Sequence, residues 1–258
     1  MSNYAFGVTY DGADFYGWQR QPELPTVQGL LEAAVSQIAN KPTNIFAAGR
    51  TDTGVHATGQ VGAFSSDAIR SLYNWRQGMN ALTPDSIHVD WVIAVDDKFH
   101  PRYSATARRY TYVFHDSGSN HPLLLRRAWG CAALDADAMH RAAQVLVGDH
   151  DFSSFRGAGC QSLSPLRRVN HCVVTRRGGF VTLDIEANSF VLHMVRNVVS
   201  ALHAVGTHTA NMTLAQLLAA TDRQQLGATA PASGLYLVSV AYPDYGFPKT
   251  TGIPFLPL

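Results

Sequence analysis

The chain has 258 residues, 46% of them hydrophobic and 15% charged. That excludes a disordered chain and gives material for one large core or two ordinary ones. No apolar run approaches the ~18 residues of a membrane-spanning helix. The N-terminus (Met1-Ser2-Asn3-Tyr4) lacks the basic and apolar blocks of a signal peptide. Net charge is only +1, so bulk basicity does not announce a nucleic-acid binder. Only Lys41, Lys98 and Lys249 among the twenty basic residues are lysines, and arginines cluster as Arg108-Arg109, Arg126-Arg127, Arg167-Arg168 and Arg176-Arg177. Arginine's planar fork suits phosphate and stacks on bases, so one basic face between 102 and 177 is expected. Cys131, Cys160 and Cys172 are scattered without a C-x-x-C pair, which points away from disulfide or zinc frameworks and toward a reducing cytoplasm.

In chain order, Tyr4–Tyr10 reads as a strand. Val27, Leu30, Leu31, Ala34, Val35 and Ile38 recur at helical spacing after Thr26, a plausible N-cap. Strands follow near 44–49 and 59–65, a helix near 70–80 and a strand at 87–95. Around residue 105 a similar series restarts. Arg109–Phe114 reads as a strand, and Asp135–Val147 as a helix with Ala138, Ala142, Val145 and Leu146 on one face. Strands at 167–176 and 179–187 meet at Gly178-Gly179, a hairpin signal. A long helix is expected from Phe190 to Val205 and a late strand from Leu235 to Tyr242. The tail from Pro243, with Pro248, Pro254 and Pro257, reads as irregular. Hairpin-paired strands with helices between them indicate an α+β fold built on antiparallel sheet.

Chemistry concentrates in Gly49-Arg50-Thr51-Asp52-Thr53-Gly54-Val55-His56-Ala57-Thr58-Gly59. The apolar runs on either side, 45–48 and 60–64, read as strands, the first of them buried. Asp52 is then presented on a tight loop between strands, two residues from the cation of Arg50, and such loops are where catalytic groups gather. A plain turn aspartate fits the same spacing. The long helix holds a second pattern. Its apolar residues cover most of the circumference, leaving His193, Arg196, Asn197 and Ser200 as one polar stripe. A buried arginine needs an acid. Asp184 and Glu186 are candidates from the sequence alone.

The motifs together resemble the tRNA pseudouridine synthase A (TruA) family. Gly49-Arg50-Thr51-Asp52 with Gly54-Val55-His56-Ala57 is similar to its catalytic motif. Tyr10-Asp11-Gly12, Phe15-Tyr16-Gly17-Trp18-Gln19-Arg20-Gln21 and Thr26-Val27-Gln28 resemble its N-terminal signature, and Phe99–Tyr112 its central one. Asp151–Arg156, Asn188-Ser189-Phe190 with His193–Asn197, and Gly234–Leu237 follow in the family's order, so the resemblance spans about residues 4 to 245. It implies the pseudouridine synthase fold: two related α/β halves, 1–105 and 106–245, with joined, mainly antiparallel sheets and a central active-site cleft, then a tail at 246–258.

The resemblance also implies an activity, conversion of uridine to pseudouridine at tRNA positions 38, 39 and 40 in the anticodon arm, without metal or other cofactor. Asp52 is then the nucleophile and Arg196 its ion-pair partner. Tyr110 packs on the uracil with a possible part in proton transfer, and Arg50 and His193 bind substrate. The family is cytoplasmic and homodimeric, with tRNA as partner and no membrane. Thr53 stands where the family usually has Ala, and Leu192 where an arginine often precedes His-Met-Val-Arg-Asn; the latter bears on affinity. A non-catalytic RNA-binding module and a nucleoside hydrolase are the competing readings. The hydrolase ordinarily needs a second carboxylate that no other segment here suggests.

Overall fold

The computed structural model describes residues 1–118, 121–250 and 252–256. The N-terminal stretch forms β1 (Ser2–Tyr10), α1 (Val27–Ala39), a two-residue β2 (Phe46–Ala47), β3 (His56–Ser66), α2 (Leu72–Leu82) and β4 (Ile87–Val95). There follow β5 (Ala107–His115), β6 (Trp129–Gly130), α3 (Ala136–Ala143), β7 (Gly148–Asp151), β8 (Leu166–Arg177) and β9 (Phe180–Ala187). The series closes with α4 (Met194–Gly206), α5 (Leu214–Ala220) and β10 (Leu235–Ala241). The fold is α+β, and its strands pair mainly antiparallel. Among the described residues no helix is long and apolar enough to cross a membrane. Pro257, in the expected tail, lies outside the described residues, as do 251 and 258.

Contacts divide the chain into two compact units, Met1–Thr106 with Tyr236–Pro254, and Ala107–Leu235 with 255–258. In the first, β1 lies between antiparallel β3 and β4, while Tyr236 and Leu237 of β10 run parallel to His56 and Ala57 of β3. Strand alternation sends Tyr4, Phe6 and Val8 to one face. There the ring of Tyr4 meets those of Phe64 and Trp75 at 5.2 and 5.6 Å, and Leu31, Val35 and Met79 of the helices are fully buried. Each such burial stabilises by roughly 1.5–3 kcal/mol. The opposite face carries Ala5, Val61 and Ala63, covered by Phe99, Tyr242, Trp91 and Phe247. The tail is therefore irregular in backbone yet packed through its rings, Trp91 on Phe247 at 4.9 Å and Phe99 on Phe247 at 5.4 Å. Thr26 caps α1 as expected, its hydroxyl accepting from the Gly29 amide.

The second unit orders its antiparallel strands β5-β9-β8-β7, and its hairpin turns at Gly178-Gly179 with Gly178 at φ +58°. Tyr110, Tyr112 and Phe114 face the same way as their partners Ile185, Leu183 and Val181. The helical core beside them comes from Met139 and Ala143 of α3 and Val198, Val199 and Leu202 of α4. Two expectations change here. The buried face of α3 is Ala136, Met139 and Ala143, continued by Leu146 in a 3-10 turn, while Val145 is exposed. The Met139/Ala143 pair, spaced i and i+4, sets the stripe, and Ala138 and Ala142 lie a quarter-turn away. The long helix starts at Met194 rather than Phe190, because His193 adopts a left-handed conformation at φ 60°, ψ 5°. The 45–48 run also departs from a buried strand: Ile45 and Ala48 are buried, but Phe46 is 57% exposed and only two residues pair.

Candidate active site

The Asp52 loop leaves β2 and re-enters the sheet at β3, held from below by buried polar groups. Gln60, fully buried on β3, donates through Nε2 to the Gly49 carbonyl at 2.8 Å. The Tyr10 hydroxyl and the Thr51 hydroxyl lie 2.8 Å apart, both buried. Burial, opposed only in part by bonds to Thr51 and Gln60, pushes the Tyr10 phenol well above its ordinary range, so it stays protonated. The Trp18 amide donates to the Thr51 carbonyl at 3.0 Å, and the Val55 amide to the Asp52 carbonyl at 3.1 Å, closing the turn. Gly54 at φ +77° meets the turn's left-handed requirement.

Gly17, at φ +82°, lets the irregular segment between β1 and α1 touch the loop, since a Cβ there would sit 2.7 Å from the Thr51 carbonyl oxygen. The N-terminal signature thus backs the acid. Thr51 is buried, Asp52 half-buried and Thr53 and Arg50 exposed, so the loop presents its polar residues outward from a fixed base. An alanine would fit in the place of Thr53 without loss of any contact of this base.

His56, inside the same motif as Asp52, is 2% exposed and ties three distant segments together. Its Nδ1 lies 3.0 Å from the Gly12 amide and 3.1 Å from Asp11 Oδ1, and its ring stacks on Tyr236 at 4.7 Å. Tyr10, Gln60 and His56 belong among the residues that shape the site. The signal for them was a polar side chain inside an otherwise apolar strand.

In the second unit the polar stripe of α4 grips the segment 226–231. Arg196 Nε donates to the Ala230 carbonyl at 2.8 Å, and Ser200 Oγ to that of Ala228 at 2.6 Å. Asn197, fully buried, donates to the Phe155 carbonyl at 2.8 Å and accepts from Thr229 and Arg223 at 2.8 and 3.3 Å. The Tyr112 hydroxyl, kept protonated by burial, donates to the Pro231 carbonyl at 2.9 Å. With Nε engaged, the guanidinium of Arg196 is fixed in plane and its two terminal nitrogens define the fork's direction. Asp184 accepts from Arg109 Nε at 2.7 Å and from Thr111, and Glu186 from Asn170, so both carboxylates suggested as alternative partners serve other groups.

Tyr110, 9% exposed on β5, packs edge-to-face on Phe190 at 5.1 Å. His193 occupies the left-handed turn ahead of α4. Gly157 makes room for it, for a Cβ there would fall 2.9 Å from His193 Nδ1. Leu192 is half-buried, its carbonyl accepting from the Gly157 amide at 2.8 Å. Arg50 and Asp52 therefore share one loop of the first unit. Tyr110, His193 and Arg196 lie in the second, on β5 and at the start of α4.

A family model described as "tRNA pseudouridine synthase" matches residues 7–104 and 142–243. The chain is 52% identical over 248 residues to "tRNA pseudouridine synthase A" of Salmonella arizonae, covering 95% of this chain and 92% of that one. The protein of the same description from Escherichia coli shows the same identity and coverage. That of a Shewanella species is 52% identical over 249 residues, covering 95% of each chain. With matches of this extent, the chain belongs to the tRNA pseudouridine synthase A family.

Proposed function

We propose that this chain isomerises uridine to pseudouridine in the anticodon stem-loop of tRNA, at positions 38, 39 and 40. The observation that carries the reading is a carboxylate, Asp52, on a loop braced by Tyr10, Thr51 and Gln60. The reaction breaks the bond from ribose C1′ to base N1, turns the uracil and joins C1′ to C5. N1 gains a proton and C5 loses one, so no atoms or electrons are exchanged with a second reactant. Asp52 either attacks C1′ or removes the C2′ proton to give a glycal. In both routes it must be ionised in a site that excludes water.

A cation within hydrogen-bonding reach favours that form. Arg196 is assigned this role, its fork offered to Asp52 while Ala230 holds Nε. Tyr110 packs on the uracil and assists the C5 proton. Arg50 occupies the gap or the phosphate left when the base leaves its stack, as chemistry on a base within a helix demands, and His193 contacts substrate. The residues come from both halves of the sequence, 1–105 and 106–245. No cofactor enters the scheme. The enzyme acts in the cytoplasm as a homodimer.

Asp52→Ala tests the reading. With tRNA labelled with tritium at uridine C5, the wild-type chain should release tritium in the presence of a chelator. The variant should release none and still bind, since affinity rests on phosphate contacts. Free uracil from the wild type would make it a hydrolase, and binding without product would make it a binding module. Near-normal turnover by Asp52→Ala would remove the carboxylate from the mechanism.

A further inference from the structure

The first unit exposes a line of aromatic rings. Phe46 and Tyr103 are 57% and 77% exposed, and the ring of His100 lies between them, 5.5 Å from Phe46 and 4.4 Å from Tyr103. The Arg102 guanidinium stands 5.7 Å from the Tyr103 ring centre. Isolated exposed rings need no explanation, but a contiguous row with a cation over one end does.

The backbone that carries the row is rigid. Phe99 is buried among Tyr242, Tyr245 and Phe247, and the Tyr242 hydroxyl donates to the Pro101 carbonyl at 2.5 Å. The Ser104 amide donates to the His100 carbonyl at 2.9 Å, and the Arg102 amide to His100 Nδ1 at 3.1 Å. Burial, reinforced by the charge of Arg102, lowers the His100 pKa, leaving the ring neutral at physiological pH. The turn that carries His100 and Tyr103 is thus set in advance, which lowers the entropic cost to a ligand that stacks there.

We propose that Phe46, His100, Arg102 and Tyr103 form a stacking platform for an unpaired nucleotide of the substrate RNA, close to the target uridine. The proposal rests on the uridine-isomerising reading above. Bases in a duplex are already stacked on one another. Only looped or bulged ones can be laid on aromatic side chains, and Arg102 supplies charge for the adjoining phosphate. Continuity with the catalytic loop argues for this occupant. Phe46 begins β2, and the chain continues from it through Ala48, which shares an apolar cluster with Phe99, into Arg50 and Asp52. Five residues lie between Phe46 and Asp52, six Cα steps with a span of at most about 20 Å. At ~3.4 Å per stacked nucleotide, that keeps the platform within about six nucleotides of the target, inside the same stem-loop.

The test uses the full chain, a hairpin RNA with a seven-nucleotide loop and a blunt duplex of equal length, with 2-aminopurine placed at successive loop positions. Tyr103→Ala and Phe46→Ala should each weaken hairpin binding about tenfold and leave duplex binding unchanged. Tyr103→Phe should bind as the wild type does. One loop position should show 2-aminopurine quenching on binding that Tyr103→Ala abolishes. Hairpin affinities within twofold of wild type for both alanine variants would overturn the platform. So would an equal loss for the duplex, or a drop in sedimentation mass showing that a second copy covers these rings. Tritium release by the wild type is read alongside. Its absence would defeat the isomerase reading, whereas normal release with unaffected hairpin binding would defeat only the platform.

Discussion

Replacing Gly17 by alanine should disable the Asp52 loop from outside it. Two costs arise. A Cβ at φ +82° carries the strain of a left-handed conformation, about 1–2 kcal/mol. The same Cβ would lie 2.7 Å from the Thr51 carbonyl oxygen and 3.1 Å from both the Asp52 carbonyl carbon and the Thr53 nitrogen. These are backbone atoms, pinned by Trp18, Tyr10 and Gln60, with no flexible side chain to give way. Reaching ordinary contact at 3.4 Å requires the peptide entering Asp52 to retreat by about 0.7 Å. Misplacing a reacting group by about 1 Å can cost about a hundredfold in rate. Saturated turnover, read as tritium release, should therefore fall about 10- to 100-fold. The strain alone should lower the melting temperature by roughly 2–8 °C, at about 2–4 °C per kcal/mol for a chain of this class. Gly118→Ala is the control, for it has φ +77° with nothing within 4 Å of the added Cβ. It should lose stability without losing turnover. Wild-type turnover in Gly17→Ala, or equal losses of turnover in both variants, would refute the bracing argument.

Other consequences can be measured directly. Arg196→Lys keeps a charge but loses both the Ala230 bond through Nε and the planar fork, so turnover should fall at least a hundredfold with little change in tRNA affinity; a rate within threefold of wild type would take Arg196 out of the site. Tyr110→Phe should leave affinity intact and lower turnover only if the hydroxyl handles a proton, while a fully active Tyr110→Ala would reduce Tyr110 to packing on Phe190. Thiol alkylation near pH 7.5 should label Cys160 first, because bonds from the Leu192 and Ser162 backbone and from Arg156 outweigh its burial; burial pushes Cys131 up to about 11 and Cys172 to about 12. A raised thiol pKa means that folding resists ionisation, so the Cys172 contribution is intact below about pH 9 and is lost as pH climbs toward 12. Plotted as log affinity against log salt, tRNA binding should give a slope of about −3 to −5, reflecting a few phosphate contacts; a flat line would contradict the basic-face reading.

Much of the architecture was legible because it rests on local rules. Thr26 caps α1 through its own hydroxyl, Ile87 to Asp90 alternates buried and exposed along β4, and Gly178-Gly179 closes a two-residue hairpin. The start of α4 was not legible. The apolar run from Phe190 continues the helical period, and only the packing of Gly157 under His193 reveals the left-handed residue that delays the helix. The face of α3 was misjudged because alanines at neighbouring positions carry little directional weight beside Met139. In the site, Asp52 stood out because its loop is short and local. The groups that brace it come from Tyr10, Gly17 and Gln60, brought together by tertiary contacts that no spacing records. The role of Asn197 and Ser200 was likewise half-visible: the stripe could be read, but its partner segment at 226–231 could not.

The arginines show why composition alone misleads about binding. Seventeen arginines to three lysines suggests a surface built for phosphate. Several of those arginines instead tie down irregular chain. Arg156 donates to the carbonyls of Cys160 and Ser162 at 2.9 and 2.6 Å, and Arg167 to those of Ser164 and Leu166 at 2.9 and 2.6 Å. Arg223 reaches Leu226, Gly227, Thr229 and Asn197, and Arg176 reaches Asp116 and the Leu134 carbonyl. A planar guanidinium with five donors can satisfy two or three carbonyls that diverge, which an ammonium on a flexible stem holds poorly. Loops of the kind at 156–166 and 223–231 leave such carbonyls without strand or helix partners, and arginine is the side chain that closes them. The chain therefore uses arginine for two ends. Those at the loops tie down the segments next to Arg196, and the exposed Arg50 and Arg102 are among those proposed to meet RNA. The modest salt slope expected for tRNA binding follows from that division, since a guanidinium whose donors already hold backbone carbonyls has fewer left to pair with a phosphate and displace its counterions.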